Sequence, residues 1–285
     1  MDDRPPHRAE ELEAKYGLPS QVLFCKRCVI SNQRPSSVVE FKNRGTRKET
    51  IAFDEEGICA ACRFADIKET GIDWEKREAE LHELCKQYRS KAGNYDCIVP
   101  GSGGKDSAFT SHMLKFRFGM HPLTVTWAPH IYTDIGFRNF QKWIHSGFDN
   151  ILFTPNGRVH KLLTKFAFVN LLHPFQPFII GQRHIAPKFS AMYGIPLVFY
   201  GENQAEYGNN IKDNDKPTMD PSFFEAQRDL DKIILGGVTA RELVDRHGVD
   251  LNDLGLRPHG RDWFFRLLSA ARIGARSEVS DAPAW

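Results

Sequence analysis

Apolar and polar positions after residue 93 alternate between short hydrophobic runs and longer segments of helical periodicity. Short runs bounded by glycine, proline or polar residues are typical of buried strands, and amphipathic segments between them are typical of covering helices. The predicted strands are Tyr95–Val99, Pro122–Trp127, Asn150–Phe153 and Pro196–Tyr200. The predicted helices are Asp106–Phe118, Phe137–Ser146, Val159–Leu172, His184–Tyr193, Pro221–Leu235 and Thr239–His247. Because parallel strands need helical crossovers, this alternation predicts an α/β fold with a doubly wound parallel sheet covered on both faces.

A further amphipathic segment precedes the first predicted strand. Asp73 is a good N-cap, and apolar residues recur on one helical face from Trp74 to Tyr88, so we expect a helix that ends by Gly93. The chain then divides into a flexible leader (1–20), a cysteine-containing module with this linker helix (21–92), the α/β domain (93–258) and a C-terminal tail (259–285).

Charge and composition exclude several classes of protein. The sequence has 38 Lys and Arg against 36 Asp and Glu, a formal net charge of +2, so no continuous basic surface for nucleic acid is expected. No apolar run approaches the roughly 20 residues of a membrane span. The polar N-terminus resembles neither a signal peptide nor a transit peptide, which predicts a cytoplasmic protein.

The six cysteines all lie in the first 97 residues, and four of them form two pairs of the same C-x₂-C spacing. Each pair is a tight turn that presents two thiolates, so the two together can close a tetrahedral site. We expect Cys25, Cys28, Cys59 and Cys62 to bind a structural zinc ion in a small zinc-ribbon module; an iron–sulfur cluster or free thiols are the alternatives. Cys85 and Cys97 fall on apolar positions and are expected in the core.

The most informative segment is the turn between the first strand and its helix. Three glycines allow close approach of a ligand, and the helix N-terminus that follows offers free N–H groups to an anion. A carboxylate at Asp106 would repel phosphate alone but suits a site in which Mg²⁺ bridges it to the phosphates of ATP. The turn has neither the Walker A nor the dinucleotide-binding spacing. The residues of this predicted ATP site are Gly101, Ser102, Gly103, Gly104, Lys105, Asp106 and Ser107.

The string from Ser102 to Ser107 resembles the PP-loop of the ATP pyrophosphatases, enzymes that split ATP between its α and β phosphates. That resemblance implies the adenine nucleotide alpha hydrolase-like variant of the doubly wound fold. It also implies that the adenine lies near the end of the second strand, at Val125, Thr126 and Trp127.

Several motifs together are similar to those of the N-acetyl sugar amidotransferase family, which serves surface-polysaccharide (lipopolysaccharide O-antigen) and flagellin-glycan biosynthesis. The resemblance covers about Cys25 to Gly208. The motifs are Cys25–Val29, Phe53–Cys62, Ile72–Trp74, Ser102–Ser107, Tyr132–Gly136, Asn139–Gln141 and Gly201–Gly208.

This resemblance implies that the acetamido group of a nucleotide-linked sugar is converted to an acetamidino group. The cofactors would be ATP, Mg²⁺ and Zn²⁺, with ammonia from a partner glutaminase like the glutaminase and cyclase pair of histidine biosynthesis. Lys105 and Asp106 would act on the phosphates and Mg²⁺, while Glu202 or Glu206 would bind Mg²⁺ or accept a proton. The residues expected to contact the sugar substrate are Tyr132, Asp134, Arg183 and Asn203.

Two other readings remain open from the residues. A PP-loop enzyme that thiolates tRNA would also carry zinc-binding cysteines, although this chain has no thiol beyond residue 97 and no basic surface. The second alternative is a non-catalytic scaffold that binds zinc and nucleotide. It stays open because members of the resembled family continue further than this chain, and His259–Trp285 matches none of their motifs.

Overall fold

The computed structural model describes residues 18–19, 21–33, 50–202, 229–250 and 253. Most of the predicted leader, the C-terminal tail, and the predicted site residues Asn203 and Glu206 lie outside these residues. The same holds for the segment between the two cysteine pairs from residue 34 to residue 49, and for residues 221–228 of the predicted helix Pro221–Leu235.

The centre of the described structure is a parallel sheet of four strands in the order β3-β2-β1-β4. Its strands are β1 (Cys97–Pro100), β2 (Pro122–Trp127), β3 (Asp149–Phe153) and β4 (Leu197–Val198). Strand β1 lies between β2 and β4, and its first residue, Cys97, is opposite Pro122 of β2 on one side and Leu197 of β4 on the other. The chain moves outwards from β1 to β3 and then returns to the other side of β1, so the direction of winding reverses between β1 and β4.

Seven α-helices accompany this sheet in the described part of the chain, and a two-stranded antiparallel hairpin follows it. The helices are α1 (Ala60–Asp66), α2 (Trp74–Tyr88), α3 (Lys105–His112), α4 (Asp134–His145), α5 (Gly157–Leu171), α6 (Gln176–Tyr193) and α7 (Ala240–His247). Helices α1 and α3 each continue into a π-helical turn, Ile67–Gly71 and Met113–Arg117 respectively. The hairpin consists of β5 (Ile234–Leu235) and β6 (Val238–Thr239).

Two apolar layers show that the sheet is covered on both faces, which confirms the predicted α/β fold. On one face, Ile98 and Val125 pack with Ile185 of α6. On the other face, Val99 packs with Cys85 of α2 and with Leu114 of the turn that follows α3. Strand residues alternate between these layers because successive side chains point to opposite faces of a sheet. The central strands are therefore buried on both sides.

Helix α2 has its predicted N-cap at Asp73 and ends at Tyr88, before Gly93, although the exposed Trp74 lies outside the buried face. The predicted bounds of two other elements were wrong. Helix α6 begins at Gln176, eight residues before the predicted start at His184. The segment from 230 to 235 is a turn and strand β5 instead of the end of a helix, because the positive φ of Gly236 and Gly237 closes a hairpin.

Among the described residues, no helix is both long and apolar enough to cross a membrane.

Candidate functional site

The predicted phosphate loop lies where the direction of winding reverses. Gly101 follows β1 directly and its N–H donates to the Val125 carbonyl at 2.9 Å, which carries the β1–β2 pairing into the start of the loop. Ligands of doubly wound folds bind at the carboxyl ends of the strands beside such a reversal point. The loop therefore occupies the position that a ligand-binding loop takes in this architecture.

The conformation of the loop depends on two of its glycines. Gly103 has φ +86°, and a Cβ there would lie 2.6 Å from the backbone nitrogen of Phe140. A Cβ at Gly101 would overlap the Ser107 side chain and lie 2.9 Å from the Trp143 ring. Helix α4 supplies both Phe140 and Trp143, so it holds the loop in place through close backbone contact. The Trp143 indole is itself fixed by donating to Ser111 Oγ at 2.8 Å.

The loop presents several backbone donors on one side. Within the described part of the chain, the N–H groups of Ser102, Gly103 and Gly104 donate no hydrogen bond. Gly104 is the N-cap of α3, and no side chain caps this helix end. Consecutive free N–H groups with the positive end of a helix form an anion site. The arrangement can therefore bind a phosphate or pyrophosphate group.

Lys105 and Asp106 provide the charged side chains at this end of α3. Lys105 Nζ lies 2.6 and 2.8 Å from the two carboxylate oxygens of Asp106, and the Lys105 side chain is 87% exposed. The ammonium is exposed on the side where a phosphate would bind, and the carboxylate offers the oxygen ligands that Mg²⁺ prefers. Both predicted side chains are at the same helix end as the free N–H groups.

The other predicted ATP-binding residues have a different placement. Ser107 is buried and donates to the Gly104 carbonyl at 3.2 Å, so its hydroxyl supports the loop from within. The side chains of Val125 and Thr126 are fully buried, which leaves only their backbone for a ligand at the end of β2. Trp127 is half-buried at that strand end.

Sequence reasoning missed the role of Gly201. A Cβ at this position would lie 2.7 Å from the Asp106 carbonyl carbon and 2.7 Å from the Ser107 nitrogen. The chain leaving β4 therefore passes directly over the start of α3, and the exposed Glu202 follows at the next position. The sequence signal for this role was a glycine that directly follows a predicted strand and precedes a carboxylate. This packing brings the predicted carboxylate into the neighbourhood of the loop.

Three of the four predicted substrate residues, Tyr132, Asp134 and Arg183, lie among the described residues. The Tyr132 ring lies 6.3 Å from that of Phe140, whose backbone contacts the loop. The buried Tyr132 hydroxyl has no hydrogen-bond partner among the described residues. Burial raises the pKa of Tyr132, so its hydroxyl stays a neutral donor. Asp134 is exposed in the first turn of α4, and Arg183 of α6 accepts from the Tyr200 hydroxyl through its backbone carbonyl.

The four paired cysteines converge, as predicted from their spacing. Their Sγ atoms all lie within 4.8 Å of one another, with Cys25 4.0 Å from Cys62 and Cys28 3.6 Å from Cys59. A tetrahedral zinc ion with Zn–S bonds of about 2.3 Å requires sulfur separations of about 3.8 Å. The cluster therefore fits a metal of this size and geometry.

Backbone donors around Cys25 prepare it for metal binding. The N–H groups of Cys59 and Arg27 lie 3.3 and 3.4 Å from Cys25 Sγ. Burial by itself raises the pKa of this thiol, but the surrounding N–H groups outweigh burial and lower it to about 6. A thiolate is the form that ligates metal, so the local backbone favours the binding-competent state. Cys85 and Cys97 are buried core residues, as predicted.

Comparisons with known proteins give limited information. No family model matches the sequence. A stretch of 78 residues is 32% identical to an uncharacterized protein of Methanocaldococcus jannaschii, a match that spans 27% of this chain and 27% of that protein. The chain thus matches about a quarter of the length of this curated relative.

Among solved structures, the chain is similar to the NH₃-dependent NAD synthetase of Campylobacter jejuni, solved in complex with the nitrate ion. The two are 14% identical with a TM-score of 0.35, and the match covers 72% of this chain and 86% of that one. A likeness at this level is too weak to support a functional assignment.

Proposed function

We propose that the protein is an ATP-dependent synthetase that adenylates the acetamido group of an N-acetylated, nucleotide-linked sugar and replaces its oxygen with ammonia. The observation that carries this proposal is the row of unpaired N–H groups at the start of α3, with Lys105 and Asp106 beside it at the reversal point of the sheet. The sugar and the reaction type come from the motif resemblance described above.

Adenylation solves a specific chemical problem. An amide oxygen is a very poor leaving group, whereas AMP departs easily. In the proposed reaction the acetamido oxygen attacks the α-phosphorus of ATP, and the bond to pyrophosphate breaks. Ammonia then adds to the imidate carbon, loses a proton, and AMP leaves with the original oxygen. Positioning and charge neutralisation supply most of the acceleration in such transfers.

The residues of the loop have separate roles in this scheme. The N–H groups of Ser102, Gly103 and Gly104 bind phosphate oxygens, and the Lys105 ammonium moves from Asp106 to the phosphates. Asp106 would hold Mg²⁺, which supplies neutralisation of the phosphate charge. We assign the proton from the attacking ammonia to Glu202, which follows Gly201 near the start of α3, or to Glu206.

The cysteine cluster has a structural part in the proposal. Four thiolates close a zinc site completely and leave no position for chemistry. We therefore assign zinc to the folding of the 21–92 module. The ammonia comes from a partner glutaminase.

The test is a turnover assay with purified protein. We expect AMP and pyrophosphate to form only when ATP, Mg²⁺, an N-acetylated nucleotide sugar and an ammonium salt are all present. The variants Lys105→Ala and Asp106→Ala should each lower the rate by about 100-fold or more, since each removes a charge that the transition state needs. Lys86→Ala, which removes an exposed ammonium of α2, serves as the matched control and should leave the rate unchanged.

Full activity in either loop variant would refute the assigned roles. ATP binding without turnover on any acetamido sugar would refute the reaction.

A further inference from the structure

A groove between helices α3 and α4 opens to solvent beside the phosphate loop, with a volume of about 240 Å³. We call it the α3–α4 groove. Its lining includes one residue of the loop, two of α3 and three of α4: Gly103, Ala108, His112, Asn139, Lys142 and Trp143. Because Gly103 also carries one of the free N–H groups of the loop, the groove adjoins the predicted anion site.

The spacing of residues on the two helices explains how this groove forms. Ala108 and His112 are four residues apart on α3, and Asn139, Lys142 and Trp143 follow one face of α4. The small Ala108 side chain leaves space that a larger residue would fill. The buried Trp143 forms a fixed wall, because its indole N–H donates to a hydroxyl of α3 at 2.8 Å. The groove is therefore a feature of the packed helices.

The polar side chains of the groove suit an anion. Within the described part of the chain, the Lys142 ammonium forms no ion pair and the Asn139 amide forms no hydrogen bond. His112 has another role: its Nδ1 lies 2.8 Å from the Ala108 carbonyl, so Nδ1 carries the proton and the neutral ring keeps an acceptor at Nε2. None of the described lining residues carries a carboxylate. Lys142 and Asn139 therefore offer one positive charge and several N–H donors with no competing negative charge.

The size and position of the groove limit which anion it binds. Sites for drug-sized ligands measure roughly 300–1,000 Å³, so this groove is too small for a whole nucleotide or a nucleotide-linked sugar. Its volume is about eight times the roughly 30 Å³ that one water molecule occupies, which leaves room for a phosphate group. A triphosphate whose inner phosphates lie on the loop N–H groups has one further phosphate to place, and the groove begins at the loop.

We propose that the α3–α4 groove binds the terminal phosphate of ATP, with Lys142 and Asn139 as donors to its oxygens. This inference rests on the proposed function, since it adds a specificity-determining residue to the same ATP site. When the bond between the α and β phosphates breaks, the phosphates held by the loop and by the groove leave together as pyrophosphate. Lys142 neutralises charge on this leaving group. A nucleoside diphosphate leaves the groove empty, so Lys142 makes the site selective for a triphosphate.

The test compares two analogues that differ only in the terminal phosphate. AMPCPP and AMPCP share the same non-hydrolysable bridge between the α and β phosphates, and each is titrated calorimetrically into the full chain with Mg²⁺. We expect the unaltered chain to bind AMPCPP more tightly. Lys142→Met, which keeps the apolar stem, should weaken AMPCPP about tenfold, as loss of one charge-assisted hydrogen bond does, and should leave AMPCP unchanged. Lys105→Ala should weaken both analogues, and Lys86→Met, at an exposed ammonium of α2, should weaken neither.

A second variant fills the groove without removing a charge. Ala108→Leu adds three carbon atoms at the wall of the groove and should also weaken AMPCPP while AMPCP binds as before. This selective loss differs from a folding defect, because a misfolded chain would lose both analogues and its cooperative melting transition.

Three results would overturn the inference and leave the ATP site in place. The first is equal affinity of the unaltered chain for the two analogues. The second is a Lys142→Met chain that binds AMPCPP as tightly as the unaltered chain, or that loses AMPCP to the same extent. The third is inorganic phosphate that binds alongside saturating AMPCPP and is lost in Lys142→Met, which would assign the groove to a separate anion. Binding of neither analogue to the unaltered chain would refute the proposed function, and the inference with it.

Discussion

At the scale of single residues, the candidate site depends on positions where a side chain cannot fit. Gly103 combines a left-handed φ with close contact to the Phe140 backbone, and Gly201 touches the start of α3. These glycines bring three segments of backbone together. The candidate side chains Lys105 and Asp106 directly follow this glycine-rich backbone.

Replacing Gly103 with alanine tests this frame. The added Cβ would lie 2.6 Å from the Phe140 nitrogen at φ +86°, so either the loop or α4 must move. We expect Gly103→Ala to abolish detectable ATP binding in calorimetric titration and to lower the melting temperature. Gly157→Ala at the first residue of α5, where a Cβ meets nothing within 4 Å, should do neither. Normal ATP affinity in Gly103→Ala would show that the loop does not bind phosphate.

The buried carboxylate of Asp96 stabilises the segment that leads into β1. It accepts from the backbone N–H of Ser90 at 2.5 Å and of His121 at 2.6 Å, and the residue is only 3% exposed. Asp96→Ala leaves both donors unpaired and should lower the free energy of unfolding by about 3 kcal/mol. Urea denaturation measures this free energy of unfolding. The control Glu83→Ala, at an exposed ion pair, should change the free energy of unfolding by less than about 1 kcal/mol. Equal losses of stability in the two variants would contradict the assigned role of Asp96.

At the scale of elements, sequence pattern was most reliable where buried strands end in strong turn signals. Strand β2 has its predicted bounds, and α7 has its predicted cap at Thr239 and end at Gly248. The start of α6 was missed because Pro177 interrupts its pattern, although this proline lies in the opening turn, where proline is tolerated. The hairpin β5–β6 was read as helix even though two glycines between apolar pairs are a hairpin signal.

Parts of the site could not be predicted from the sequence because they depend on contacts between residues that are far apart along the chain. The spacing of the cysteine pairs predicted their convergence, and the glycine-rich turn predicted the anion site. The glycine between a strand and a carboxylate marks Gly201 as a special position, but it does not show that Gly201 contacts α3. In the same way, nothing local to Gly181 shows that it packs against Trp127. The orientation of Ser107 into the loop likewise follows from packing against Gly101.

The cysteine module supplies a prediction at this scale. Metal analysis of the purified protein should give one zinc ion per chain, and chelation should lower the melting temperature because zinc closes the fold of this module. Cys62→Ser should lose the zinc, whereas Cys85→Ala, which alters a core thiol outside the cluster, should retain it. Equal zinc content in both variants would contradict the assigned ligands.

At the scale of the whole molecule, the reversal of winding between β1 and β4 organises the chemistry. It places the loop after β1 and the chain after β4 side by side, so that the N–H groups of the loop lie at the same edge as Lys105, Asp106 and Glu202.

The response of stability to pH follows from His160. Its pKa is lowered from 6.5 to about 4 by burial and by His130, so the unfolded chain binds a proton at a higher pH than the folded chain does. Stability should then be complete above about pH 7 and fall as the pH drops from 6.5 towards 4. Melting temperatures across this range should decline less steeply in His160→Phe. Identical slopes in the two proteins would contradict the burial of a neutral imidazole at this position.

The central claim is that the loop between β1 and α3 binds ATP with Mg²⁺, and isothermal titration of the purified chain tests it most directly. The account predicts saturable binding of one ATP per chain that requires Mg²⁺, weakens strongly in Asp106→Ala and Lys105→Ala, and is unchanged in Lys86→Ala. An absence of heat and of saturation at millimolar ATP and Mg²⁺, from a chain with a cooperative melting transition, would contradict it.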